Sequence, residues 1–163
     1  MELSQLKRKT PLQTTAWVLA TWFGAGCSPK APGTIGSLFS LPLILIGYLI
    51  GVKALILTLI VLFGLGWWAT DVVLKTQKEQ DPGFVVIDET VGQVLSFVLI
   101  TSVGFTWYYL VIGFALFRFF DIVKLWPASY FDQSVHTAFG VMMDDVIAGL
   151  YAAVTLYGIT FFI

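Results

Sequence analysis

The sequence holds four apolar blocks, residues 38–50, 54–70, 93–117 and 141–163, with polar intervals at 28–37 before the first and at 71–90 and 118–140 between later ones. Blocks so long and so poor in charge are at home where water is absent. There the chain must satisfy its backbone polar groups internally, which selects helices or closed barrels. The whole chain has the same balance: 163 residues, 58% hydrophobic and 12% charged, with a mean hydropathy of +0.87. The predicted fold class is all-α, a polytopic membrane helical bundle forming a single domain over 1–163.

The composition also excludes several functions. A net charge of −1 and no basic stripe give no sign of nucleic-acid binding. One Cys and one His exclude a zinc site built from those ligands. Cys27 is therefore read as a small buried or interfacial side chain, and His136 as a surface or interface residue. Residues 12–26 are apolar but too short to span comfortably. They are predicted to form an interfacial or partly inserted N-terminal helix with Trp17 and Trp22 at the membrane interface. Lys7, Arg8 and Lys9 resemble the start of a secretory signal, but serve equally well as a positive-inside anchor.

The acids carry the functional information. Asp71 closes one apolar stretch, Asp88 and Glu89 open the next, Asp121 lies near its far end, and Asp144 and Asp145 stand at the mouth of the last. Carboxylates at such positions are costly unless they are used. If 93–117 crossed once, Asp88 and Glu89 would lie opposite the other acids. If it is a hairpin turning near 103–106, arms of about 16 to 18 residues still approach spanning length. All acids after Glu2 then share one face. That five-helix arrangement, with a first hairpin turning at residues 51–53, is the expected one. Lys30, Lys75, Lys78 and Lys124 join the acids, Lys53 alone is opposite, and the positive-inside rule makes the charged face cytoplasmic.

Four segments supply candidate chemistry. In SPKAPGTIGS, prolines and glycines deny a regular helix. Main-chain N–H groups around Gly33, the hydroxyls of Thr34 and Ser37, and Lys30 are placed to cradle an anion, with a helix expected to begin near Ser37. In DPGFVVIDETVG, Asp88 and Glu89 project about 100° apart on a helix and Gly92 leaves a bare patch one turn on. Acids at a helix N-terminus are also favoured by its dipole alone. In FRFFDIVKLWP, Arg118, Asp121 and Lys124 fall at i, i+3 steps and form either an intrahelical ion ladder or a phosphate grip beside a metal ligand. In GVMMDDVIAG, Asp144 and Asp145 sit between Gly140 and Gly149, small residues that allow close helix contact. An oxygen-only, carboxylate-rich cluster suits Mg²⁺.

Together and in this order the segments ATWFGAGCSPKAPGTIGS, DPGFVVIDETVG, FRFFDIVKLWP and GVMMDDVIAG resemble the phosphatidylglycerophosphatase A family. Two positions depart from its pattern: Gln80 stands where His is expected, and Leu125 where Pro is usual. The resemblance implies an Mg²⁺-dependent phosphatase of the bacterial inner membrane. It would hydrolyse the terminal phosphomonoester of phosphatidylglycerophosphate, a phospholipid held in the bilayer, to phosphatidylglycerol and phosphate. On that reading Asp88, Glu89, Asp144 and Asp145 are catalytic and, with Asp121, hold the metal; Asp71 and Asp81 are lesser candidates. Lys30, Gly33, Thr34, Ser37, Arg118 and Lys124 bind substrate. Direct attack by water and a covalent aspartyl-phosphate both remain open. The alternative from another class is a small membrane carrier or channel whose acids conduct protons or cations.

Overall fold

A computed structural model describes residues 10–77, 82–104 and 106–162; Lys7, Arg8, Lys9, Lys78, Gln80 and Asp81 lie outside them. The described residues form seven α-helices and two 3-10 turns. Helix α1 is Pro11–Ala20. Thr10 caps it, its hydroxyl accepting from the Gln13 amide while the Gln13 side chain accepts from the Thr10 amide. A 3-10 turn at Ala25–Cys27 leads to α2, Pro32–Ile50. Gly51 then reverses the chain into α3, Val52–Gln77, which completes the first hairpin.

The second hairpin is the one on which the site depends. Helix α4, Ile87–Leu95, is only 9 residues long. Beyond Ser96, whose hydroxyl donates to the Gly92 and Gln93 carbonyls, the arm continues as a 3-10 turn at Leu99–Ser102. After a turn at Gly104 the chain returns as α5, Trp107–Val123. The block 93–117 thus folds back on itself, and the start of α4 meets the end of α5. Helix α6, Ala128–Ser134, is short, and α7, Ala138–Ile159, closes the bundle.

By length and hydropathy α2, α3 and α7 can each cross a membrane. They differ in what surrounds them. The apolar window of α7 is 61% buried, against 22% for α3, so α7 is the central helix and α3 faces outward. Leu57 and Ile60 of α3 lie more than half exposed, as lipid-facing residues should. Inside a bilayer apolar burial gives little drive for helix association, so close packing of small residues has to supply it. Ala148, Ala152 and Ala153 of α7 are buried, and a Cβ at Gly149 would fall 2.5 Å from the carbonyl oxygen of Gly92. The backbones of α4 and α7 therefore touch where the two glycines meet. Three buried hydroxyls are satisfied by their own helices, Ser37 donating to Gly33 O, Ser40 to Ser37 O and Thr90 to Val86 O, whereas the buried hydroxyl of Thr70 has no hydrogen-bond partner among the described residues.

The structure corrects two sequence expectations and narrows a third. Trp17 and Trp22 are 7% and 9% exposed and belong to the core: Trp17 lies on α1, which packs along α3, and Trp22 in the turn that follows. Helix α2 begins five residues earlier than expected, at Pro32 rather than near Ser37; Pro at the first helical position needs no N–H partner. Cys27 is exposed, which removes the buried alternative of its two readings.

Candidate active site

The start of α2, the start of α4, the end of α5, helix α6 and the first turns of α7 converge on a cavity of about 380 Å³. Each adjacent pair of acids is oriented in the same way. The Glu89 amide donates to Asp88 Oδ1 at 3.0 Å and the Asp145 amide donates to Asp144 Oδ1 at 3.0 Å. The first carboxylate of each pair folds back onto the helix, where the macrodipole favours Asp88 at the start of α4.

The acids divide into two sets. Asp121 pairs with Arg118, Nη1 to Oδ2 at 2.7 Å. Asp144 pairs with Lys124, which also reaches Asp132 of α6 at 2.9 Å. Asp88, Glu89 and Asp145 form no ion pair among the described residues, yet each offers an oxygen within 4.8 Å of the others. Asp88 and Asp145 are 8% and 3% exposed, and Glu89 Oε2 is buried without a hydrogen-bond partner. Three carboxylates so close, none of them in an ion pair, repel one another strongly at low dielectric. An oxygen-only donor set of that charge fits a hard divalent cation such as Mg²⁺.

Opposite these acids lies the start of α2, where Ala31, Pro32, Gly33 and Thr34 line the cavity. No side chain caps this helix, and its first backbone bond is Ile35 N–H to Ala31 O. The amides of Gly33 and Thr34 are thus left to meet a ligand at the positive end of the helix. Arg118 is fixed beside them, donating to Ser37 Oγ at 3.3 Å. Gly33 leaves room for the site side chains, because a Cβ there would lie 2.1 Å from Glu89 Oε1 and 3.2 Å from Arg118 Nη1 and would displace them. Gly33→Ala is therefore expected to lower turnover about tenfold or more while costing less than about 1 kcal/mol of stability, since mobile side-chain tips and not backbone must yield. Phosphate-release kinetics beside thermal unfolding in detergent would show that split.

Of the residues chosen from sequence, Asp88, Glu89, Asp121, Asp144, Asp145, Gly33, Thr34, Arg118 and Lys124 line the cavity. Ser37 stands behind it, holding Arg118. Lys30 is exposed and outside the lining, and Asp71 is elsewhere, paired with Lys75 on α3 at 2.6 Å. The expected Arg–Asp–Lys ladder forms only its first rung. Lys124 turns out of α5 with φ 47° and bridges α6 and α7 instead. Burial alone would lower its pKa, but Asp144 and Asp132 outweigh burial and the net shift is upward, so Lys124 stays charged. Asp132 and His136 also line the cavity. The rule that places every acid after Glu2 on one face already contained Asp132; nothing in the spacing singled it out.

Fold and site define a helical membrane protein whose polar centre is a carboxylate cluster beside the uncapped start of a helix. The family model described as Phosphatidylglycerophosphatase A matches residues 18–160. The phosphatidylglycerophosphatase A of Haemophilus influenzae is 36% identical over 155 residues, covering 94% of each chain. That of Escherichia coli is 34% identical over 157 residues, 94% of this chain and 86% of its own. A Bacteroides thetaiotaomicron relative, named provisionally as a phosphatidylinositol-3-phosphatase, is 38% identical over 85% of this chain and 89% of its own. No solved structure matches. The chain belongs to the phosphatidylglycerophosphatase A family, and with it to the phosphatases. The carrier or channel alternative is set aside.

Proposed function

We propose that the protein is an Mg²⁺-dependent lipid phosphatase that hydrolyses the terminal phosphomonoester of phosphatidylglycerophosphate to phosphatidylglycerol and inorganic phosphate. It would cross the bacterial inner membrane five times, with the cavity open to the cytoplasm. The observation that carries the chemistry is the unpaired trio Asp88, Glu89 and Asp145 facing the uncapped start of α2. The choice of lipid follows the names of the Haemophilus and Escherichia relatives. The orientation rests on the basic residues gathered at the same face.

Asp88, Glu89 and Asp145 would hold the ion. When bound, it supplies Lewis-acid polarisation and lowers the pKa of water. The amides of Gly33 and Thr34 and the Arg118 guanidinium hold the phosphoryl oxygens, where charge grows in the transition state. Asp121 and Ser37 keep Arg118 aimed. The unpartnered Oε2 of Glu89 takes the proton of the attacking water. Lys124 bridges Asp144 and Asp132, so that among the described acids of the cavity the trio is left without a cationic partner. The departing alkoxide of the lipid is protonated from solvent at the rim.

Chelation is expected to abolish phosphate release from phosphatidylglycerophosphate micelles, and added Mg²⁺ to restore it. Full activity after exhaustive chelation would remove the metal from the scheme. A preference for phosphatidylinositol 3-phosphate in the same assay would replace the substrate and leave the chemistry standing.

A further inference from the structure

A second concavity opens just beyond the turn that leads into α2. It is apolar, about 410 Å³, and bounded chiefly by Phe23, Cys27, Ser28, Ile35 and Phe39. Its rim is held in an unusual backbone. Trp22 and Phe23 have φ of 47° and 56°, values bulky side chains seldom adopt. The turn is nonetheless well bonded: Phe23 N–H donates to Val18 O, and Gly24 N–H to Thr21 Oγ1 at 3.1 Å. The result is that Trp22 is buried at 9% exposure while the neighbouring Phe23 stands 70% exposed. Strain retained to hold a large ring at the surface points to what the ring touches. Phe39, 61% exposed, lies one turn beyond Ile35 on α2, a helix long and apolar enough to cross a membrane, so the concavity continues onto the outer apolar surface of that helix.

One cation separates this concavity from the acidic cavity. Ser28 lines the first and Ala31 the second. Between them Lys30 is exposed and lines neither, in a turn fixed by the Ser28 hydroxyl donating to Lys30 O at 2.9 Å. From Ser28 to Ala31 is at most ~11 Å of chain, short enough for one lipid headgroup to bridge. The order apolar groove, ammonium, phosphate cavity is the order acyl chain, phosphodiester, terminal phosphate.

We infer that the concavity takes an acyl chain of the substrate and that Lys30 binds the phosphodiester rather than the phosphate that is cleaved. This rests on the lipid phosphomonoester reading above. The test compares kcat/KM for three compounds in mixed micelles: phosphatidylglycerophosphate, its deacylated headgroup with both phosphates, and sn-glycerol 3-phosphate. Lys30→Gln should lower the preference for the two-phosphate compounds over glycerol 3-phosphate roughly tenfold, and Lys30→Arg should recover most of it. Phe39→Ala should lower the preference for the acylated over the deacylated compound several-fold. Equal losses on all three compounds, or ratios that do not move, would overturn the inference. Wild-type protein that releases no phosphate from the lipid would overturn the underlying reading instead, and needs no variant to show it.

Discussion

Asp145→Asn is expected to reduce phosphate release roughly a thousandfold while leaving the metal-free protein as stable as wild type, or more so. The split follows from the position of Asp145 among groups of its own sign. It shares a cluster within 4.8 Å with Asp88 and Glu89, forms no ion pair among the described residues, and is 3% exposed. Removing one charge from a buried trio that has no ion pair of its own relieves repulsion in the metal-free protein. The same change removes a ligand from the ion that the trio would hold. Asp88→Asn should behave alike. By contrast Asp121→Asn and Lys124→Ala each strand a partner charge and should cost stability as well. Thermal unfolding in detergent without metal, set beside turnover with Mg²⁺, separates the two kinds of residue. A large loss of stability in Asp145→Asn would mark the aspartate as structural.

Gly149→Leu is expected to damage fold and activity together. A Cβ at Gly149 would fall 2.5 Å from the carbonyl oxygen of Gly92 and 3.0 Å from its Cα. These are backbone atoms of α4, so no rotamer change relieves the contact and the helices must part by about 1 Å. Overpacking of this kind costs about 1–3 kcal/mol. The same movement carries Asp88 and Glu89 on α4 away from Asp145 on α7, and displacements of about 1 Å near a reacting centre lower rates about a hundredfold. Gly158→Ala, on the same helix but facing open space, is the control and should change neither quantity appreciably. If Gly149→Leu kept wild-type turnover, the crossing would not set the spacing of the acids.

Much of this was legible in the sequence because it depends on charge in an apolar setting. Acids at block ends are expensive in any membrane fold, and that fact marked Asp88, Glu89, Asp121, Asp144 and Asp145, which line the cavity, together with Asp71, which does not. The hairpin within 93–117 was recoverable because a single crossing would have scattered those acids over two faces. What escaped was decided by tertiary contact. Hydropathy cannot tell lipid-facing from protein-facing apolar surface, so Trp17 and Trp22 were expected outside and lie in the core. Spacing along a helix cannot foresee that Lys124 leaves α5 in a left-handed turn. That turn is why the ammonium meets Asp144 and Asp132 instead of completing a ladder with Asp121. Ser37 was expected to begin α2 and instead sits inside it, where its hydroxyl accepts from Arg118.

The most direct measurement is of the ion itself. Mn²⁺, a spectroscopic substitute for Mg²⁺, can be titrated into purified, metal-free protein and followed by electron paramagnetic resonance. Wild type should bind it at a saturable protein site whose occupancy tracks phosphate release. Asp88→Asn, Glu89→Gln and Asp145→Asn should each weaken that binding by at least about tenfold, while Asp71→Asn, outside the cavity, should not. Equal binding in all four variants, or full turnover with no ion bound, would contradict a shared carboxylate site built by α4 and α7.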